Sequence, residues 1–308
     1  MKLLKPKFWH KKNSFFSIVL LPLTFLVLVY LFFKKKIISK KEFRIPIICI
    51  GNIYVGGTGK TPLSIVIANK FIKQKKSVII KKFYNDHRDE HRLINGNTKF
   101  LILNSNRIKA IEEAEKKGFE LAILDDGFQD LSIKKKINIL CFNSSQPIGN
   151  AMVIPSGPLR DSFKTIKDAQ IVVINGEKNE EFEREVKKVS GEIEIFYSKY
   201  IAKNINEFKN KRLFAFAGIG NPENFFNLLR RSDLNLHKFL TYPDHYDFKE
   251  KEINKMVEFA TKNNLELITT EKDFYRIKDL GFEGIKFLKI ELKIFNEEKF
   301  FEKLKGLL

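Results

Sequence analysis

The sequence predicts an α/β fold: a parallel-sheet domain, a second and smaller α/β domain after it, and an N-terminal membrane helix before it. Three observations carry this expectation. Short apolar runs alternate with helical patterns through most of the chain, the first of these runs breaks into a glycine-rich turn, and a second alternating series starts near Arg212. Alternation of this kind builds parallel strands covered by helices.

The N-terminal part explains much of the charge. Residues 1–44 hold ten lysines and Arg44 against the single acid Glu42, which is +10 of the formal net charge of +19. Within it, Phe15 to Phe33 is a 19-residue run without charge, long enough for one spanning helix. No small-residue cleavage site follows, so the segment is expected to be retained. Lysines flank it on both sides, which leaves two options: a span with the Lys34 side in the cytosol, or a shallow seat in one leaflet. Nucleic acid is not an expected partner, because that would need a basic, aromatic groove in the folded part. Cys49 and Cys141 lie in apolar strand-like runs and read as reduced core thiols.

From Ile45 the first series runs through Ile45–Ile50, Ser64–Gln74, Ser77–Ile80, Arg107–Lys117, Leu121–Leu124, Ile137–Phe142 and Ala169–Ile174. Glu177–Glu185 reads as a charged helical or solvated stretch and Ile193–Ile205 as an extended linker. The second series comprises Leu213–Ala217, Pro222–Arg231, Phe239–Tyr242, Lys249–Asn263, Leu267–Thr269 and Ile285–Leu292. The expected units are therefore an anchor over 1–44, a first domain over 45–205 and a smaller one over 206–308.

The motifs narrow the chemistry. Ile47 to Ile50 followed by Gly56-Gly57-Thr58-Gly59-Lys60-Thr61-Pro62 reads as a phosphate-binding loop, which makes the first domain P-loop NTPase-like. Backbone N–H groups converge on a polyphosphate, Lys60 reaches its outer phosphates and Thr61 offers a hydroxyl to Mg²⁺. A strict version of the motif has glycine where Tyr54 stands. Leu121 to Leu124 ends in Asp125-Asp126, the form of a strand whose acid holds Mg²⁺ directly or through water.

Further blocks follow in order: Asp125-Asp126-Gly127-Phe128-Gln129, Ile148-Gly149-Asn150, Pro155-Ser156-Gly157-Pro158-Leu159-Arg160, Asn175-Gly176, Ala215 to Pro222, Pro243-Asp244-His245 and Thr269-Thr270-Glu271-Lys272-Asp273. With Gly51-Asn52 and the glycine loop, this series resembles the tetraacyldisaccharide 4'-kinase family, the lipid A 4'-kinases of Gram-negative bacteria. The resemblance implies transfer of the ATP γ-phosphate to the 4'-hydroxyl of an acylated disaccharide 1-phosphate, at the cytoplasmic face of the bacterial inner membrane. It implies ATP and Mg²⁺ as cofactors and a membrane glycolipid as substrate; the oligomeric state stays open. Gly56, Gly57, Thr58, Gly59, Lys60, Thr61 and Arg160 would hold nucleotide, and Thr61, Asp125 and Asp126 the metal.

The family's base is an aspartate in a Gly-Asp-Glu block, paired with the histidine of the Asp-His block. Asp89 stands at that place, with Arg88 for the glycine, and His245 would orient it; Asp86 and Glu90 are the alternatives. The family's Ser-Arg-Gly-Tyr-Gly turn appears as Lys81-Lys82-Phe83-Tyr84-Asn85. Asp130 replaces a family histidine and Asp161 a family glutamate, and neither is assigned a role. Two rival classes remain: a membrane-bound regulatory ATPase of the partitioning type, which generally carries an extra lysine where this chain has Val55, and a nucleic-acid-dependent ATPase.

Overall fold

The computed structural model describes residues 6–244 and 246–308. Its apolar N-terminal run folds as two helices, α1 (Phe15–Val19) and α2 (Leu21–Ile37), which corrects the expectation of a single spanning helix. Pro22, with no N–H to donate, sits in the first turn of a new helix, where proline is tolerated. The last turn of α2 already contains Lys34, Lys35 and Lys36. Among the described residues, no helix is long and apolar enough to cross a membrane.

The burial of this helix pair is inverted. Two small polar residues, Ser17 and Thr24, face the protein: Asn150 Nδ2 donates to Ser17 Oγ at 3.0 Å, and Thr24 Oγ1 lies 2.8 Å from Ser156 Oγ while accepting from Ser156 N at 3.1 Å. Its large apolar residues face outward, with Phe15, Phe16, Phe25, Leu26, Phe32 and Phe33 all exposed.

The main sheet comes next in the chain. It begins with β1 (Ile47–Gly51), α3 (Lys60–Phe71), β2 (Ser77–Lys82), α4 (Arg88–Asn97), β3 (Leu101–Asn104), α5 (Arg107–Lys116) and β4 (Leu121–Asp125). It continues with β5 (Ile137–Asn143), β6 (Ile171–Asn175), α6 (Glu180–Val189) and β7 (Glu194–Ala202). The second unit contains β8 (Arg212–Ala217), α7 (Pro222–Arg231), β9 (Asn235–Thr241), α8 (Glu250–Lys262), β10 (Glu266–Thr270), α9 (Glu271–Ile277) and β11 (Ile285–Leu288). The chain closes with β12 (Ile290–Ile294) and α10 (Glu297–Leu307).

The large sheet has eight strands in the order β12-β7-β6-β5-β1-β4-β2-β3, parallel except for β12 against β7. β1, β4 and β6 are buried along their whole length, as strands covered on both faces must be. Successive side chains point to opposite faces, so Ile47 and Cys49 enter one apolar layer and Ile48 and Ile50 the other. Both cysteines are free and buried, and burial pushes the Cys49 thiol up to about 11. β1 lies between β4 and β5, where the order of connections reverses, so a crevice opens beyond its C-terminal end.

The smaller sheet has four parallel strands in the order β11-β10-β8-β9. Two segments depart from the sequence reading. Ile193–Ile205, read as linker, supplies β7, paired with β6 on one side and β12 on the other. Residues 290–308, read with the second domain, return to the first: β12 extends the large sheet, and Phe300, Phe301 and Leu304 of α10 pack under it. Two strands thus cross between the units, tied where Lys203 N donates to Lys289 O at 2.8 Å and Lys289 N to Asn204 Oδ1 at 2.8 Å.

Candidate active site

The glycine loop leaves the end of β1 and delivers Lys60 and Thr61 to the first turn of α3. Asn52, fully buried, holds the loop from inside: its Nδ2 donates to Tyr54 O at 2.6 Å and to Thr58 Oγ1 at 3.1 Å. Tyr54, the departure from the strict motif, is a buried core residue that bridges to Leu159. Gly59 has φ +92°, a left-handed conformation that favours glycine, and a Cβ there would lie 3.2 Å from the Tyr200 hydroxyl. The segment after Ile154 braces the loop: Val55 N donates to Pro158 O at 2.9 Å and Arg160 N to Ile53 O at 2.7 Å.

This bracing carries Arg160 to the acidic strand end. Its Nη1 lies 3.0 and 3.2 Å from the two carboxylate oxygens of Asp126, and Lys60 Nζ lies 3.7 Å from Asp126 Oδ1. Burial alone would raise the Asp126 carboxyl, but Lys60 and Arg160 outweigh it and bring it down to about 2. The Asp126 backbone, at φ +57°, gives its carbonyl to Arg107 Nη2 at 2.7 Å.

Asp125, at 0 % exposure, meets three groups. Thr61 Oγ1 donates to its Oδ2 at 2.8 Å, Ser64 Oγ to its Oδ1 at 3.3 Å, and Lys81 Nζ to Oδ2 at 2.6 Å. Lys81 also reaches Glu90 Oε2 at 2.8 Å. Burial disfavours the Lys81 charge, yet Asp125 and Glu90 together hold the ammonium above its ordinary value.

From Glu90 the ion network crosses to the second unit. Lys272 Nζ lies 2.8 Å from Glu90 Oε1, 3.8 Å from Asp89 Oδ2 and 3.9 Å from Asp244 Oδ1. Burial would raise the Glu90 carboxyl; Lys272 and Lys81 instead hold it well below its ordinary value. Asp89, buried in the first turn of α4, receives Arg276 Nη2 at 2.5 Å. Arg276 Nη1 in turn donates to Asp273 Oδ1 at 2.5 Å and to Gly218 O at 2.6 Å. A second close approach joins the units at Gly220, where a Cβ would come 2.9 Å from Gly57 N.

Gly56, Gly57, Thr58, Gly59, Lys60, Thr61, Arg160, Asp125 and Asp126 thus line one cleft. Glu90, Asp244 and Lys272 line its far wall, while Asp89 lies behind Glu90 in the same ion network. His245 lies outside the described residues. Asp130 pairs with Arg107 at 3.4 Å and accepts from Ser132 Oγ at 2.6 Å, and Asp161 takes Lys35 of α2 at 2.9 Å. Sequence reasoning gave no role to Lys81, Ser64, Arg107 or Arg276. The one available signal was a pair of lysines, Lys81-Lys82, closing an otherwise apolar strand.

A lysine and a hydroxyl at a helix N-terminus, facing two strand-end carboxylates in a crevice, define a P-loop nucleotide-binding protein with room for a second substrate. The chain belongs to the tetraacyldisaccharide-1-P 4'-kinase family, whose LpxK model matches residues 16–308. It is 42% identical over 314 residues to a tetraacyldisaccharide 4'-kinase of Pelagibacter ubique, covering 99% of this chain and 98% of that one. It is 32% identical to the protein of the same name from Rickettsia canadensis, covering 98% of each. The crystal structure of LpxK from Aquifex aeolicus in complex with ATP superposes with a TM-score of 0.71 at 23% identity, covering 94% of this chain and 99% of that one, which supports the fold.

Proposed function

We propose that this chain transfers the γ-phosphate of ATP to the 4'-hydroxyl of tetraacyldisaccharide 1-phosphate, the reaction of its family. The full-length 42% identity to a tetraacyldisaccharide 4'-kinase carries this reading. The glycine loop and the two strand-end acids support it.

The backbone N–H groups of the loop from Gly56 to Lys60 cradle the β- and γ-phosphates, and Lys60 and Arg160 lend them positive charge. Thr61 Oγ1 and Asp125 Oδ2, 2.8 Å apart, are oxygen ligands of the kind Mg²⁺ takes, with the Lys81 ammonium 2.6 Å from the same carboxylate oxygen. Thr61 and Asp125 would hold the metal, with Asp126 nearby; Mg²⁺ supplies neutralisation of phosphate charge. Asp89 accepts the proton of the 4'-hydroxyl as the new O–P bond forms, the bond to the β,γ-bridging oxygen breaks and ADP leaves. Because it is buried behind Glu90 and paired with Arg276, this requires Asp89 to be uncovered toward the cleft when the acceptor binds. His245 would orient Asp89, the role the family resemblance implies for the histidine of the Asp-His block. Closure of the second unit over the cleft excludes water, a competing acceptor.

The outward apolar face of α1 and α2 suits a shallow seat in the cytoplasmic leaflet of the inner membrane, with Lys34, Lys36 and Lys40 toward anionic headgroups. That seat brings the cleft to its glycolipid. ATP turnover measured without acceptor, with the acylated disaccharide and with DNA tests the reading. Stimulation by the glycolipid alone is expected; stimulation by DNA, or turnover indifferent to both, favours one of the rival ATPase classes.

A further inference from the structure

We infer that Lys81 competes with Mg²⁺ for Asp125, and that Glu90 holds Lys81 partly away, so that this pair sets how much Mg²⁺ the site needs. The inference rests on the Mg²⁺-nucleotide reading of the cleft. Lys81 and Asp125 are register partners on the adjacent strands β2 and β4, so the backbone fixes their side chains on the same end of the sheet. Lys81 is 5 % exposed, and its ammonium lies 2.6 Å from Asp125 Oδ2. That same oxygen accepts the Thr61 hydroxyl at 2.8 Å, so a cation bound between Thr61 and Asp125 arrives beside a cation already present.

A fixed positive charge within about 5 Å of a divalent ion weakens its binding by roughly tenfold even when screened as in bulk water. Glu90 opposes this, drawing the ammonium from the other side at 2.8 Å. Its second oxygen is held by Lys272 of α9, at 2.8 Å, so the strength of that pull depends on how the second unit sits.

The test is fluorescence titration of a labelled ATP analogue with Mg²⁺, on full-length protein whose folding is checked by thermal melting. Lys81→Met should lower the half-saturating Mg²⁺ about tenfold, and Lys81→Arg should leave it near the wild-type value. Glu90→Gln, which leaves Lys81 to Asp125 alone, should raise it several-fold. Should Lys81→Met not fold, the rise in Glu90→Gln decides the matter. An unchanged or higher Mg²⁺ requirement in folded Lys81→Met, or an unchanged one in Glu90→Gln, overturns the competition. Wild-type protein that binds no nucleotide at any Mg²⁺ concentration overturns the underlying reading of the cleft instead.

Discussion

Replacing Lys60 with alanine separates phosphate chemistry from folding. The Lys60 ammonium lies 3.7 Å from Asp126 Oδ1, and that carboxylate is 32% exposed. A pair this long and this wet contributes about 0–1 kcal/mol. Asp126 also keeps Arg160 at 3.0 Å, so no carboxylate is stranded by the change. For a chain of this size, the melting temperature should fall by about 4 °C at most. In the transition state the same ammonium meets charge developing on the transferred phosphoryl group. Losing one such pre-organised contact costs about 2.7–4 kcal/mol, or roughly 10²–10³ in turnover. The expected signature is thus a large kinetic loss in a nearly unaltered fold. Radiolabelled phosphate transfer from ATP to the glycolipid, followed by chromatography, measures the first quantity, and calorimetry the second. Near-normal lipid product from a folded Lys60→Ala enzyme would refute the placement of the phosphates on this loop.

Three further outcomes are expected. Phe25→Glu combined with Phe33→Glu, both on the outward face of the N-terminal helices, should abolish flotation with anionic vesicles while leaving ATP binding intact; unchanged flotation would put the membrane seat elsewhere. Because the Glu90 carboxyl is held well below its ordinary value in the folded state, its contribution to stability is present above the unfolded value of about 4.3 and is lost as pH falls below it. The urea midpoint should therefore drop on acidification below about pH 4, and less steeply in Glu90→Gln; parallel curves would remove Glu90 from the account. Asp89→Ala and His245→Ala should each slow transfer strongly, and the double variant only slightly more, as residues acting as one unit do. Fully multiplicative losses would separate them, and a near wild-type rate for Asp89→Ala would move the base to Asp86 or Glu90.

The parts of the fold legible in the sequence were those written as long periodic signals. Pro222–Arg231 coincides with α7, and the runs at Leu121, Ile137 and Leu213 became buried strands. What stayed hidden depended on partners distant in the chain. β7 alternates only weakly and reads as a linker until β6 and β12 flank it. The return of residues 290–308 to the first sheet has no local mark at all. The stretch from His87 to Arg92 reads as a solvated charge run, yet α4 buries Asp89 and His91 against the second unit and the turn before it. The N-terminal run was apolar enough to suggest a span, but Pro22 and the lysines of the last turn divide and end it. In the site, the glycine loop and the two acids were readable because their chemistry is local. Lys81 was not, since its meaning lies in two carboxylates brought to it by other elements.

The central claim is a phosphoryl transfer to one hydroxyl of one glycolipid. Incubating the purified full-length protein with ATP, Mg²⁺ and tetraacyldisaccharide 1-phosphate, then locating the new phosphate by mass spectrometry and ³¹P NMR, tests it most directly. The account predicts a bisphosphorylated product carrying the added group on the 4'-oxygen, formed in step with ADP. ADP released with the lipid unchanged, or the phosphate found at any other position, would contradict it.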